Sequence, residues 1–335
     1  MDPLSWAVDE PGPYQAGYRS WEVEFTSLAD GSIRTVKVNA WYPTEATTGD
    51  EVRYLETFLD PDSLGDAAVA DAVHASGYPV HVYSHGDLGW GGASDFLVRY
   101  LASHGWVSVA PDHTGNTLLD GTETKPTALY VHRPQDTIAV LDALEALPDD
   151  DPLSSANTDD VLMSGHSLGS YPTWANLGAT YDPLALEEQC PTLDDGGCTD
   201  QELDAFASGE LDDPRVAAGI TLAGAIRTGF FGSSGHTTVH GPMMLMSGTD
   251  DPDGTPDSWD GLSGIERSWV EIEGGCHQAF ALGACANLET DLGYHIVDTY
   301  ALAFGRAHVL GDDSVAGVLD GSETVATEAF LTLGD

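Results

Sequence analysis

A chain of 335 residues, 41% of them hydrophobic and 9% aromatic, is long enough to bury a large core. Its 55 Asp and Glu against 11 Lys and Arg leave a formal charge of −44, which makes nucleic acid and anionic membrane poor partners. No apolar run is long enough to span a bilayer and no internal repeat or low-complexity tract is present, so the chain could form one large domain or two.

The polar start "MDPLSWAVDEPGPY" lacks the pattern of a signal peptide and reads as a mature sequence behind an initiator Met. "SWEVEFTSL" and "IRTVKVNAWYP" alternate apolar and polar residues around "ADGS", which predicts an opening β-hairpin. Residues 44–76 are acidic and irregular, with a short helix expected over 67–75. "YPVHVYSHG" then reads as a strand, "ASDFLVRYLASHG" as a helix and "WVSVAPDHTGN" as a strand. "RPQDTIAVLDALEAL" is expected to be a helix with Pro134 in its first turn, where a missing N–H costs little. "DDVLMSG" is the next strand, followed by a helix that stops near Gly178. An irregular stretch holding Cys190 and Cys198 comes next, then strands at "RVAAGITLAG", "PMMLMSG" and "SWVEIEG". "DLGYHIVDTYALAFGRAHVL" closes the chain as a long helix. Strands alternating with helices predict an α/β fold: a doubly wound, mostly parallel sheet of about eight strands, with helices on both faces. Chemistry in such sheets gathers at the carboxyl ends of the strands.

The acidic residues lie in loops such as "LPDDDP" and "GTDDPDGTPD" as well as on helices. Their mutual repulsion is relieved by salt, so the balance reads as adaptation to saline surroundings. Four cysteines fall in two close pairs, Cys190 with Cys198 and Cys276 with Cys285. The spacing favours two local bridges and an oxidising, secreted or periplasmic location. Neither pair has the spacing of a structural zinc site.

The fifth predicted strand and the helix after it are joined in "VLMSGHSLGSYPTWANLGA", residues 161–179. The pattern G-x-S-x-G marks a sharp strand-to-helix turn that lifts a serine Oγ clear of its backbone, which makes Ser167 the candidate nucleophile. A serine needs a base, a group orienting that base, and donors for an oxyanion. The acid expected after a later strand is Asp251 in "MMLMSGTDDPDGTP", with Asp250 and Asp253 as competitors; the loop also faintly echoes a calcium site. The base expected after the next strand is His277 in "VEIEGGCHQAF". The oxyanion donors expected are the backbone N–H groups of Leu168 and of Asp87 in "HVYSHGDLGWGG". Trp90 and His166 are candidates for the substrate site, with His166, inside the elbow, expected to stand behind the reacting groups. In "PDHTGNT", Asp112, His113 and Asn116 are expected to fix loops, with Arg133 pairing with an acid nearby.

With "SHGDLGWGGASDFLVRYLASHGWVSVAPDHTGNT", "RPQDTIAVLDAL" and "GHSLGSYPT" in one chain, the sequence resembles the α/β-hydrolase superfamily. Within it the sequence is similar to the predicted dienelactone-hydrolase-like branch, related to platelet-activating-factor acetylhydrolases and cutinase-like polyester hydrolases. The opening "GPYQAGYRSWEVEF…VNAWYPT" extends the likeness over nearly the whole chain. The resemblance implies a carboxylic ester hydrolase with its triad on Ser167, Asp251 and His277 and its oxyanion donors on Asp87 and Leu168. It implies a single domain over residues 1–335 with a lid inserted at residues 181–211, no metal and no organic cofactor. The expected substrates are short to medium acyl esters, with polyesters as an extension, and the expected state is a monomer. True dienelactone hydrolases carry a cysteine nucleophile where this chain has serine, so that name does not set the substrate. Lactone or amide hydrolysis, and an inactive binding protein on the same fold, are the alternatives.

Overall fold

The computed structural model describes residues 2–251 and 259–334. Its eleven strands are β1 (Gln15–Thr26), β2 (Ile33–Thr44), β3 (Asp50–Tyr54), β4 (Phe58–Gly65), β5 (Tyr78–Ser84), β6 (Val107–Asp112), β7 (Ala156–His166), β8 (Val216–Leu222), β9 (Met243–Gly248), β10 (Arg267–Ile272) and β11 (Ala329–Gly334). They form one sheet in the order β11-β10-β9-β8-β7-β5-β6-β2-β1-β4-β3. The six strands from β6 to β10 run parallel to one another. Antiparallel pairing flanks them, β2 with β6 on one side and β11 with β10 on the other. The expected sheet of about eight mostly parallel strands is therefore corrected to eleven strands of mixed orientation.

The parallel centre is buried on both faces, so its strands read as unbroken apolar runs. In β9, Met243 and Leu245 enter one core while Met244 and Met246 enter the other. The first core packs helices α2 (Thr127–Glu145) and α3 (Ser170–Asn176) through Leu141 and Trp174. The second packs α1 (Asp95–Ser103) and the long closing helix Thr290–Val309 through Leu97, Trp106 and Ile296.

Three local expectations are corrected. Residues 44–76 contain the β3–β4 hairpin, and no helix forms over 67–75. The carbonyls a helix would need there are held by side chains: Ala67 by the Tyr42 hydroxyl, Ala68 by Thr44 and Ala70 by Tyr78. Helix α2 begins at Thr127, so Pro134 lies inside it rather than in its first turn. Proline cannot donate to the carbonyl four residues back, which is that of Tyr130. The Tyr171 hydroxyl of α3 donates to that carbonyl instead, at 2.7 Å. The stretch around Cys190 and Cys198, read as irregular, carries helices α4 (Pro183–Gln189) and α5 (Asp200–Ala207).

Candidate active site

Strand β7 ends in the core at His166, and a tight turn over Ser167–Gly169 leads straight into α3. Ser167 has φ +53°, a conformation costly for any residue but glycine and found where structure is strained for function. The two glycines of the motif permit close approach: a Cβ on Gly165 would collide with the Gly169 carbonyl, and one on Gly169 with that of Ser84. Ser167 is half-buried, and its hydroxyl bonds to no described residue, His277 included. Catalytic hydrogen bonds in ligand-free enzymes are often long and tighten on binding.

His277 follows β10 in a loop bonded to the turn after β9. The Asp250 amide donates to the Gly275 carbonyl at 2.8 Å, and that of Thr249 to Ile272 at 3.0 Å. Gly248 faces Gly275 so closely that a Cβ would strike its carbonyl, so the two turns can meet only without side chains. The meeting brings His277 Nδ1 to 3.2 and 3.3 Å from the Asp251 carboxylate oxygens. The Asp251 carboxylate is almost wholly buried, and His277 is a quarter exposed. Asp250 is exposed and accepts from the Asn287 amide at 2.7 Å. Of the competing acids, Asp251 is thus the one at the imidazole, and Asp253 lies outside the described residues.

His166 sits between elbow and imidazole. Its ring lies 4.8 Å from that of His277, and its Nε2 is 3.0 Å from the His277 carbonyl oxygen. A carbonyl only accepts, so Nε2 carries the proton. Burial, and then the neighbouring His277, push the His166 pKa down to about 4 and keep the ring neutral. His166 is 5% exposed, and its donor is committed to the His277 backbone. It is placed to hold the His277 backbone from behind, as its position inside the elbow suggests.

The loop after β5 reaches the same spot. A Cβ on Gly86 would lie 3.2 Å from the Ser167 Cβ, so the Asp87 amide is adjacent to the serine. Leu168 is in the first turn of a helix, where N–H groups lack an intrahelical partner. The Asp87 amide donates to no acceptor among the described residues. Trp90, farther along the loop, stacks on Phe58 at 4.3 Å, and its indole nitrogen is buried without a partner.

A buried network fixes this loop. Arg133, with no exposed surface, donates to the His85 carbonyl and, at 2.5 Å, to Asn116 Oδ1. Asn116 in turn donates to the Asp87 carboxylate at 2.9 Å, and Lys125 pairs with its other oxygen at 2.8 Å. Arg133 therefore pairs with an amide and a carbonyl rather than with the acid expected. The nearby acid, Asp136, is held by both oxygens on Arg34 and at 2.8 Å by His113 Nδ1. His113 Nε2 accepts from Ser84 at 2.9 Å, and Asp112 accepts from the Gly91 amide at 2.7 Å. Burial pushes the Arg133 pKa down to about 9, so this guanidinium stays charged at neutral pH. The signal in the sequence was its position: an arginine in the apolar run "LYVHRPQDTIAV" of a chain with so few cations.

Both expected disulfides form, Cys190–Cys198 and Cys276–Cys285, with Cα atoms 5.2 and 5.5 Å apart. The second closes the loop that starts with His277. Among the described residues no three His, Cys, Asp or Glu side chains group as a metal site.

No family model and no curated protein matches the chain. Among solved structures, a ferulic acid esterase from Streptomyces cinnamoneus superposes with a TM-score of 0.66 at 19% identity, covering 98% of this chain and 99% of that one. The likeness is one of fold. Its end-to-end extent supports an α/β architecture over the whole chain.

Proposed function

We propose that this protein is a serine hydrolase of carboxylic esters that works outside the cytoplasm. The observation that carries the reading is the positive φ of Ser167 at a strand–turn–helix junction, beside a histidine bonded to a buried carboxylate. In the proposed cycle His277 takes the Ser167 proton as the hydroxyl attacks the acyl carbon. Asp251 orients the ring and stabilises its charged form, and the Asp87 and Leu168 amides hold the oxyanion. The leaving alcohol takes the proton from His277, and water then releases the acid by the same route.

The proposed substrates are short to medium acyl esters, including polyesters of the kind cut by cutinase-like enzymes. The likeness to a ferulic acid esterase adds aromatic acyl esters to the set worth measuring. Residues 181–211 act as a cap in this reading; their loop reaches the Asp87 region, since Asp195 accepts from Thr127 close to Lys125. The two disulfides are consistent with an extracytoplasmic setting. The protein is proposed to act as a monomer.

A series of p-nitrophenyl esters from acetate to long chain, a feruloyl ester and a polyester film test the proposal with wild type and Ser167→Ala. Turnover peaking at short to medium chains, and lost in the variant, is the expected result. Peptide or amide cleavage without esterase activity would overturn it.

A further inference from the structure

The turn that carries the Asp87 amide is held by a side chain that takes no part in the proposed cycle. Strand β5 ends at Ser84, and His85 follows it with no exposed surface. Its two ring nitrogens face different backbone groups. Nε2 lies 3.0 Å from the His113 backbone nitrogen, whose N–H can only donate. Nε2 is therefore the acceptor, and a neutral ring carries its proton on Nδ1. Burial first, then His113 and the Arg133 guanidinium, hold the His85 pKa well below the usual histidine range, so the ring is neutral. Nδ1 donates to the Gly86 carbonyl at 2.7 Å.

That carbonyl belongs to the same peptide group as the Asp87 N–H. A trans peptide is planar, with its C=O and N–H pointing in opposite directions. Holding the Gly86 oxygen on the His85 ring therefore sends the Asp87 N–H the other way. The Gly89 amide donates to the same oxygen at 3.2 Å and closes a tight turn over residues 86–89. Bonds accepted by a carbonyl also polarise its peptide and strengthen the N–H as a donor. Within the turn Leu88 has φ +54°, a conformation that leucine adopts at a cost and that persists only with support from its surroundings. A Cβ on Gly89 would lie 3.0 Å from His85 Nδ1, so ring and turn are packed together.

Building on the serine-hydrolase reading above, we infer that His85 is a positioning residue of the oxyanion hole: its Nδ1–H holds the Gly86 carbonyl and so aims the Asp87 amide at the space beside Ser167. With no exposed surface, His85 acts through this peptide and not on the substrate. The amide it aims meets charge that develops in the transition state, so its loss lowers kcat and leaves KM nearly unchanged.

Two polar substitutions separate the two bonds of the ring. Asn places an amide N–H near the position of Nδ1 and keeps a donor for Gly86. Gln reaches the position of Nε2 and keeps an acceptor for His113. With p-nitrophenyl butyrate, His85→Asn should stay within a few-fold of wild-type kcat. His85→Gln should lose about ten- to hundredfold in kcat, short of the roughly 10²–10³-fold cost of removing a whole oxyanion donor. Affinity for a trifluoromethyl ketone, whose serine adduct bears an oxyanion, should fall in step with kcat. Equal kcat in the two variants, the reverse ranking, or a loss confined to KM would overturn the role of His85. Should His85→Gln fail to fold, the imidazole nitrogen NMR spectrum of the wild type decides: a proton on Nδ1 supports the role and one on Nε2 overturns it. A wild type without ester hydrolysis would overturn the serine-hydrolase reading, and the role of His85 with it.

Discussion

Asp250 and Asp251 are neighbours in sequence with different surroundings. One carboxylate is exposed on Asn287, and the other is buried against His277 Nδ1. Asp251→Asn should cut kcat by about ten-thousandfold, the cost of losing the group that orients a triad histidine. Asp250→Asn should leave kcat close to wild type, and steady-state kinetics on a p-nitrophenyl ester would separate the two; the reverse ranking would move the role. Spacing in the sequence left this choice open, because the Gly248–Gly275 approach that decides it joins turns 27 residues apart. Asp298 makes a second prediction at this scale. Burial raises its folded-state pKa above the unfolded value, helped by Asp95 and opposed by Arg99. A raised folded pKa contributes stability that is complete below the unfolded value and is lost as pH rises through the folded one. Asp298→Asn has no such loss. Its melting temperature should exceed that of wild type at pH 8, with the gap closing toward pH 4; a gap that widens on acidification would contradict the assignment.

At the scale of elements, the elbow was the most legible part of the chain, because most of its signal lies within five residues. Gly165 meets the Gly169 carbonyl across the turn, and the apolar strand before it and the helix after it are local signals, while the Ser84 carbonyl that requires glycine at 169 comes from a distant strand. Elements stabilised by distant partners were not legible. The β3–β4 hairpin depends on Tyr54, whose hydroxyl accepts from Trp41 Nε1 at 2.9 Å and donates to Asp60 at 2.5 Å. Pro134 fits inside α2 because Tyr171 occupies the carbonyl it leaves free. The start of α5 was a missed local signal: Thr199 and Glu202 form a capping box, the S/T-x-x-E pattern, amid cysteines and glycines that suggested a loop. The Cys276–Cys285 bridge bears on function through the loop it closes. Replacing both cysteines with serine should cost roughly 2–4 kcal/mol of stability and also lower kcat, since a shift of about 1 Å in an imidazole can cost a hundredfold. The same change at Cys190 and Cys198 should lower mainly the melting temperature. Equal kcat values for wild type and both double variants would detach the bridge from the chemistry.

Across the whole molecule, the architecture was legible in outline and its edges were not. The parallel centre announces itself in apolar runs such as "MMLM", whereas β11 is short and leaves Phe330 and Leu333 exposed, so nothing in its composition marks it as the sheet's last strand. The charge is a property of the whole surface. The formal −44 is offset locally where cations are spent on buried or partly buried acids, as at Arg34, Arg99 and Arg306. The remaining repulsion is long-ranged, and the Debye length falls from about 10 Å at 0.1 M salt to about 3 Å at 1 M. The melting temperature should therefore rise between low and molar potassium chloride, and a flat profile would remove the saline reading.

Everything proposed about the chemistry depends on one oxygen, the Ser167 Oγ, and a fluorophosphonate probe followed by peptide mapping addresses it directly. The account predicts a single adduct on Ser167, complete loss of ester hydrolysis on labelling, and neither adduct nor activity in a folded Ser167→Ala variant. An adduct on another serine, or ester hydrolysis that survives in Ser167→Ala, would contradict it.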